Sequence, residues 1–104
     1  MPDIQEIKDI IGEGLTKKGE ALIAKAYSFA ENAHKDQKRM SGDPYFFHVF
    51  ETAKILAQLG MDTKTIAAGF LHDTLEDTEA TEEQIRREFG EDILFLINGV
   101  TKLG

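Results

Sequence analysis

Gly69-Phe70-Leu71-His72-Asp73-Thr74-Leu75-Glu76-Asp77-Thr78 is the stretch on which both the fold and the chemistry of this chain turn. Ile66, Ala67, Phe70, Leu71 and Leu75 recur at three- and four-residue steps, the spacing of a helix with one apolar face. Asp62 stands where an N-cap would open that helix. His72 and Glu76 are four apart, as are Asp73 and Asp77, so a continuing helix places each pair on a shared face. At about 100° per residue the four polar side chains span an arc of roughly 140°. Ala67, Ala68, Leu71 and Leu75 fall on the opposite arc and face a core. Crowding three carboxylates beside an imidazole costs free energy unless a cation sits among them. A solvated acidic helix end with one histidine is the plainer alternative, and this pattern alone leaves it standing.

Working outward, the same period runs through the rest of the chain. Ile4, Ile7, Ile10 and Ile11 mark a short helix closing near Gly12 or Gly14. Leu22, Ile23, Ala26, Phe29, Ala30 and Ala33 mark a second over about residues 18–35. Residues 36–47 read as a loop, with a turn signal at Ser41-Gly42-Asp43-Pro44. A third helix is expected over residues 48–59, stopped at Gly60. Thr81 and Gln84 form a capping box that opens a fifth, ended at Gly90. A sixth is expected over residues 92–103. No segment alternates with a period of two. The spacing predicts one all-α domain of five to six short helices.

Composition narrows the function. A chain of 104 residues holds one small domain. Twelve basic against 19 acidic residues give a net charge of -7, which argues against a phosphate-tracking nucleic-acid surface or an anionic-membrane surface. With no cysteine, disulfides and thiolate metal sites are excluded, so any metal must be held by His, Asp or Glu. There is no secretory signal pattern at Met1-Pro2-Asp3-Ile4 and no apolar run of membrane-spanning length. A soluble cytoplasmic protein is expected.

His48, at the expected start of the third helix, is a second candidate ligand. The positive end of a helix dipole disfavours an imidazolium and leaves a neutral ring able to bind metal. A histidine filling a polar gap under the aromatic loop Tyr45-Phe46-Phe47 is the plainer reading of an isolated residue. His34 reads either as a supporting group or as a structural histidine. The run Lys35-Asp36-Gln37-Lys38-Arg39 is the basic spot of an acidic chain. Arg39 can stack on a base or fork onto a phosphate, and Lys35 and Lys38 can neutralise phosphate charge. A solvated basic patch is the alternative.

Taken together, Ala33-His34-x-x-Gln37-x-Arg39-x-Ser41-Gly42-x-Pro44-Tyr45-x-x-His48, Gly69-Phe70-Leu71-His72-Asp73-x-x-Glu76-Asp77-Thr78, Phe89-Gly90 and Gly99-Val100-Thr101-Lys102-Leu103 resemble the hydrolase domain of RelA/SpoT homologues. These enzymes make and destroy guanosine tetra- and pentaphosphate (ppGpp and pppGpp), the alarmones of the stringent response. The resemblance covers about residues 18–104. It implies an HD-domain helical fold in which His48, His72 and Asp73 bind Mn2+, and Glu76 and Asp77 orient or deprotonate the attacking water. It also implies that Arg39 stacks on guanine, with Ser41 and Lys38 in the same substrate-binding loop. The expected reaction is metal-dependent hydrolysis of the 3′-pyrophosphate, giving GDP or GTP and pyrophosphate. The expected partner is this small guanine nucleotide, without nucleic acid or membrane; a homo-oligomer sharing a site is a further reading.

Departures from the family pattern bear on these expectations. Val49 stands where proline is usual, Asp36 replaces a glycine, and Met40 replaces a frequent lysine in the nucleotide loop. A fourth ligand, an aspartate, and a nucleotide-binding asparagine are expected beyond Leu103. Residues 1–104 therefore read as a partial domain, whose weakened metal binding would leave little hydrolysis. Two alternatives stay open: a nucleotide-sensing HD module without turnover, and an HD phosphohydrolase of another nucleotide.

Overall fold

Residues 66–71 are all buried, and the chain is organised around them. The computed structural model describes residues 2–103, with side chains described as far as residue 100. In chain order the helices are α1 (Ile4–Ile11), α2 (Lys17–Ala33), α3 (Tyr45–Gln58), α4 (Thr63–Leu71), α5 (Thr74–Asp77), α6 (Glu82–Phe89) and α7 (Glu91–Leu103). A 3-10 turn, Gly12–Gly14, follows α1. Six of the helices have eight residues or more, and α5 has four. Among the described residues there is no strand, only an isolated antiparallel bridge between Lys38 and Pro44. Among the described residues, no helix is long and apolar enough to cross a membrane.

A helix that is apolar on every side must be covered on every side. Accordingly α4 is packed by α2, α3 and α7, while α1 lies on α3 and α6 on α7. Phe70 is fully buried and forms the centre of an aromatic cluster. It meets Tyr27 edge-on at 5.8 Å, Phe50 at 6.3 Å and Phe46 in a stack at 6.4 Å. Gly19 lets α2 approach α4 closely, because a Cβ there would fall 2.9 Å from Thr63 Cγ2.

The helix ends follow local chemistry. The Asp62 carboxylate accepts from Thr65 N at 2.8 Å and caps α4. Thr81 and Gln84 form the expected reciprocal capping box on α6. Gly12, Gly60 and Gly90 terminate helices or turns with φ of 70°, 78° and 91°, conformations that L side chains resist.

Hydrogen bonds from Thr65 hold the Asp62 carboxyl below its ordinary pKa of 3.8. A depressed folded pKa means the cap's contribution is present at neutral pH and is lost as pH falls through that value. Asp62→Ala is expected to cost about 1 kcal/mol at pH 7. The gap between the variant's melting temperature and the wild type's should narrow below about pH 4. Thermal melts at pH 7 and pH 3 check both.

Several boundaries differ from the spacing-based reading. α3 begins at Tyr45 rather than His48, because Pro44, with φ -54°, is pre-set to enter a helix directly. α2 ends at Ala33, two residues early, and α7 begins at Glu91. The largest difference is at the motif itself. The helix does not run through His72-Asp73: α4 stops at Leu71, and α5 starts at Thr74. Side chains capture the carbonyls that a continuing helix would use. The His72 ring takes Gly69 O at 2.7 Å, and Thr74 Oγ1 takes Leu71 O at 2.7 Å. The 140° arc of four polar groups on one continuous helix is therefore corrected: His72 and Asp73 lie in the break itself, and Glu76 and Asp77 on the short α5 that follows it. The chain's end at Gly104 lies outside the described residues, as do the side chains of Thr101, Lys102 and Leu103 in the last motif.

Candidate functional site

At the break between α4 and α5, His72 and Asp73 are mostly buried, with side chains 18% and 15% exposed. A carbonyl oxygen only accepts, so the Nδ1 of His72 must carry the proton shared with Gly69 O. The other ring nitrogen, Nε2, is thereby aimed at Asp73 Oδ1, 3.1 Å away. In the neutral ring these are two lone pairs facing each other, an arrangement stabilised only by a positive charge between or on them. A divalent ion with bonds of about 2.1 Å to nitrogen and oxygen spaces two ligands at a right angle by about 3.0 Å. The pair fits a cation on both chemistry and spacing. Fixing Nδ1 on a backbone carbonyl is also how metal-binding histidines are commonly oriented.

The other carboxylates follow at once. Glu76 and Asp77 are exposed at the end of α5. Tyr45, the first residue of α3, donates its hydroxyl to Asp73 Oδ2 at 2.8 Å and approaches Asp77 Oδ2 at 3.3 Å. Burial, then the hydrogen bond and charge of Asp73, push the tyrosine pKa well up, so it stays a donor. Tyr45 belongs to the motif Pro44-Tyr45-x-x-His48, but the one-dimensional pattern gives it no role. The available signal was its position three residues before His48 at the mouth of a helix.

His48 sits one turn into α3, half-buried, its ring 5.6 Å from that of Tyr45. The structure brings Asp73 and Asp77 together at the Tyr45 hydroxyl, sets His72 against the other oxygen of Asp73, and leaves His48 beside the ring. Among the described residues, no three His, Asp or Glu side chains converge as a ready-made metal group. His34 is fully buried, with Nδ1 bonded to Gln37 Oε1 at 2.8 Å and its ring tilted over Tyr45 at 5.0 Å.

The loop between α2 and α3 is closed by backbone bonds. Arg39 N–H donates to Asp43 O at 2.9 Å and Tyr45 N–H to Gln37 O at 2.8 Å. Gly42, with φ 93°, turns the tip, and the Ser41 hydroxyl bonds Asp43 Oδ2 at 3.3 Å. Lys38, Arg39, Met40 and Ser41 are all exposed. A groove of about 820 Å³ opens beside Asp77, lined by Asn32, Lys35, Gln37, Thr78 and Gln84 among others. That volume suits a small-molecule ligand. Arg39 and Ser41 do not line it.

Comparison with known proteins adds the following. A family model described as HD domain matches residues 26–104. A guanosine-3′,5′-bis(diphosphate) 3′-pyrophosphohydrolase of Aquifex aeolicus is 52% identical over 82 residues, covering 79% of this chain and 12% of the relative. A GTP pyrophosphokinase of Streptomyces coelicolor is 54% identical over 81 residues, covering 78% of this chain and 10% of the relative. The GTP pyrophosphokinase rsh of Brucella melitensis is 52% identical over 84 residues, covering 81% and 11%. The chain thus spans about a tenth of the length of these relatives. One of these relatives is named a pyrophosphohydrolase and two are named pyrophosphokinases.

Proposed function

The chain belongs to the HD domain family, in its RelA/SpoT branch, and from that footing we propose that it is the phosphohydrolase part of an alarmone enzyme. The substrate would be guanosine tetra- or pentaphosphate, cleaved at the 3′-pyrophosphate to GDP or GTP and pyrophosphate. The observation that carries the reading is the His72 Nε2 and Asp73 Oδ1 pair, 3.1 Å apart and backed by Gly69 O.

His72 and Asp73 would hold the ion, with His48 as the third ligand. Manganese suits imidazole and carboxylate donors without sulfur. When bound, such an ion supplies charge neutralisation at the phosphoryl oxygens and makes water more acidic. Glu76 or Asp77 accepts the proton of the attacking water. Both are exposed and adjacent to the pair, so a substrate phosphate can reach them from solvent. The phosphorus–oxygen bond to the ribose 3′ oxygen breaks as the bond to water oxygen forms, and the departing 3′ oxygen takes a proton from solvent water, so the nucleotide leaves with a 3′ hydroxyl.

Arg39, Ser41 and Lys38 bind the nucleotide from the closed loop. Arg39 is exposed on that loop, and its planar head is suited to stacking on guanine. Met40, wholly exposed, adds no charge where a lysine would. Arg39→Ala is expected to raise KM for guanosine tetraphosphate by about tenfold, the equivalent of about 1.4 kcal/mol of lost stacking and charge, with kcat little changed. Steady-state pyrophosphate release checks this.

The reading as a whole is tested by supplying a full-length protein carrying these residues with manganese and a panel of nucleotides. Release of pyrophosphate from guanosine tetraphosphate, lost in Asp77→Asn, supports it. Tight nucleotide binding without turnover points to a sensing module, and preference for another nucleotide points to a different HD phosphohydrolase.

A further inference from the structure

We propose that Tyr45 is a positioning residue that fixes which oxygen Asp73 presents to the cation and joins Asp73 to Asp77; this rests on the cation site proposed above. A free aspartate can rotate and offer either oxygen. Here the phenol hydroxyl occupies Oδ2 at 2.8 Å, which leaves Oδ1 as the oxygen facing His72 Nε2. The same hydroxyl lies 3.3 Å from Asp77 Oδ2, the longer of its two contacts. One proton is thus shared between two carboxylates that would otherwise repel each other across α5. Donating to a carboxylate from a neutral hydroxyl also leaves both negative charges intact for a cation.

Tyr45 is itself held at both ends. Its backbone N–H donates to Gln37 O at 2.8 Å, and its ring lies against the buried His34, which Gln37 anchors by its side chain at 2.8 Å. The ring of His48 closes the other side at 5.6 Å. The phenol therefore reaches the carboxylates from a braced position at the entrance of α3, and Arg39 stands two residues after its brace, Gln37. Groups that orient metal ligands from behind commonly change metal affinity ten- to a hundredfold when removed.

The test is manganese titration, followed by electron paramagnetic resonance, of the chain and of Tyr45→Phe, His72→Ala and Asp73→Asn. Melting temperatures are taken without added metal. Phenylalanine keeps the ring and its packing and removes only the donor. The expected result is a Kd for manganese about tenfold weaker in Tyr45→Phe with the metal-free melting temperature unchanged. Wild-type manganese affinity in Tyr45→Phe, while His72→Ala and Asp73→Asn lose binding, overturns the role of Tyr45 and leaves the cation site intact. A weaker Kd accompanied by a matching fall in metal-free melting temperature also overturns it, by showing a structural role. If His72→Ala and Asp73→Asn bind manganese as wild type does, the cation site itself fails and the Tyr45 proposal fails with it.

Discussion

His72→Ala is expected to weaken manganese binding by about a hundredfold or more and to bring pyrophosphate release down with it. The substitution removes the one nitrogen that the structure aims at Asp73 Oδ1. It leaves that carboxylate, with Asp77 close by, without the partner that would help share a cation. Loss of a ligand exceeds the ten- to hundredfold commonly seen for groups one step behind it. The fold should tolerate the change. His72 caps a helix that is held by its own buried run, and the lost hydrogen bond to Gly69 O costs about 1 kcal/mol. Manganese titration and circular dichroism on the same sample separate the two effects. Unchanged affinity with an intact fold would remove His72 from the site.

Phe70→Ala is expected to have the largest effect on stability. The ring is fully buried and meets Tyr27, Phe46 and Phe50, so truncation opens a void walled by three aromatic rings from α2 and α3. Such truncations cost about 3–5 kcal/mol. A domain of this size has a total stability of about 5–15 kcal/mol. At about 4 °C or more per kcal/mol, the melting temperature should fall by at least about 12 °C. Phe70 lies two residues before His72 on the same central helix, so the site should loosen with the core. A fall of only a few degrees in a thermal melt would mean that neighbouring rings refill the space.

Much of the architecture was legible because it is written locally. The apolar stripes, the caps at Asp62 and Thr81, and the stops at Gly12, Gly60 and Gly90 each depend on a few neighbouring residues. They recur in the structure where the spacing put them. The break at His72-Asp73 was not legible. Apolar periodicity carries no record of His72 and Thr74 side chains taking the carbonyls of Gly69 and Leu71. The start of α3 moved because Pro44 was read as part of a turn, when its fixed φ also opens the helix behind it.

The candidate site divides along the same line. His72, Asp73, Glu76 and Asp77 lie within six consecutive residues, and their pattern announces a charged cluster. Tyr45 reaches Asp73 across 28 residues of sequence, a contact that only the packing of α3 beside α4 creates. His48 was marked from its place in the motif. In the fold it flanks Tyr45 rather than joining the His72–Asp73 pair directly.

The central claim is that His72 Nε2 and Asp73 Oδ1 together hold a divalent cation. Anomalous diffraction at the manganese edge, from crystals of this chain soaked in manganese, tests it most directly. The account predicts a peak about 2.1 Å from both atoms, with Asp73 Oδ2 still on the Tyr45 hydroxyl. A peak elsewhere on the surface, or none at saturating manganese, would contradict it.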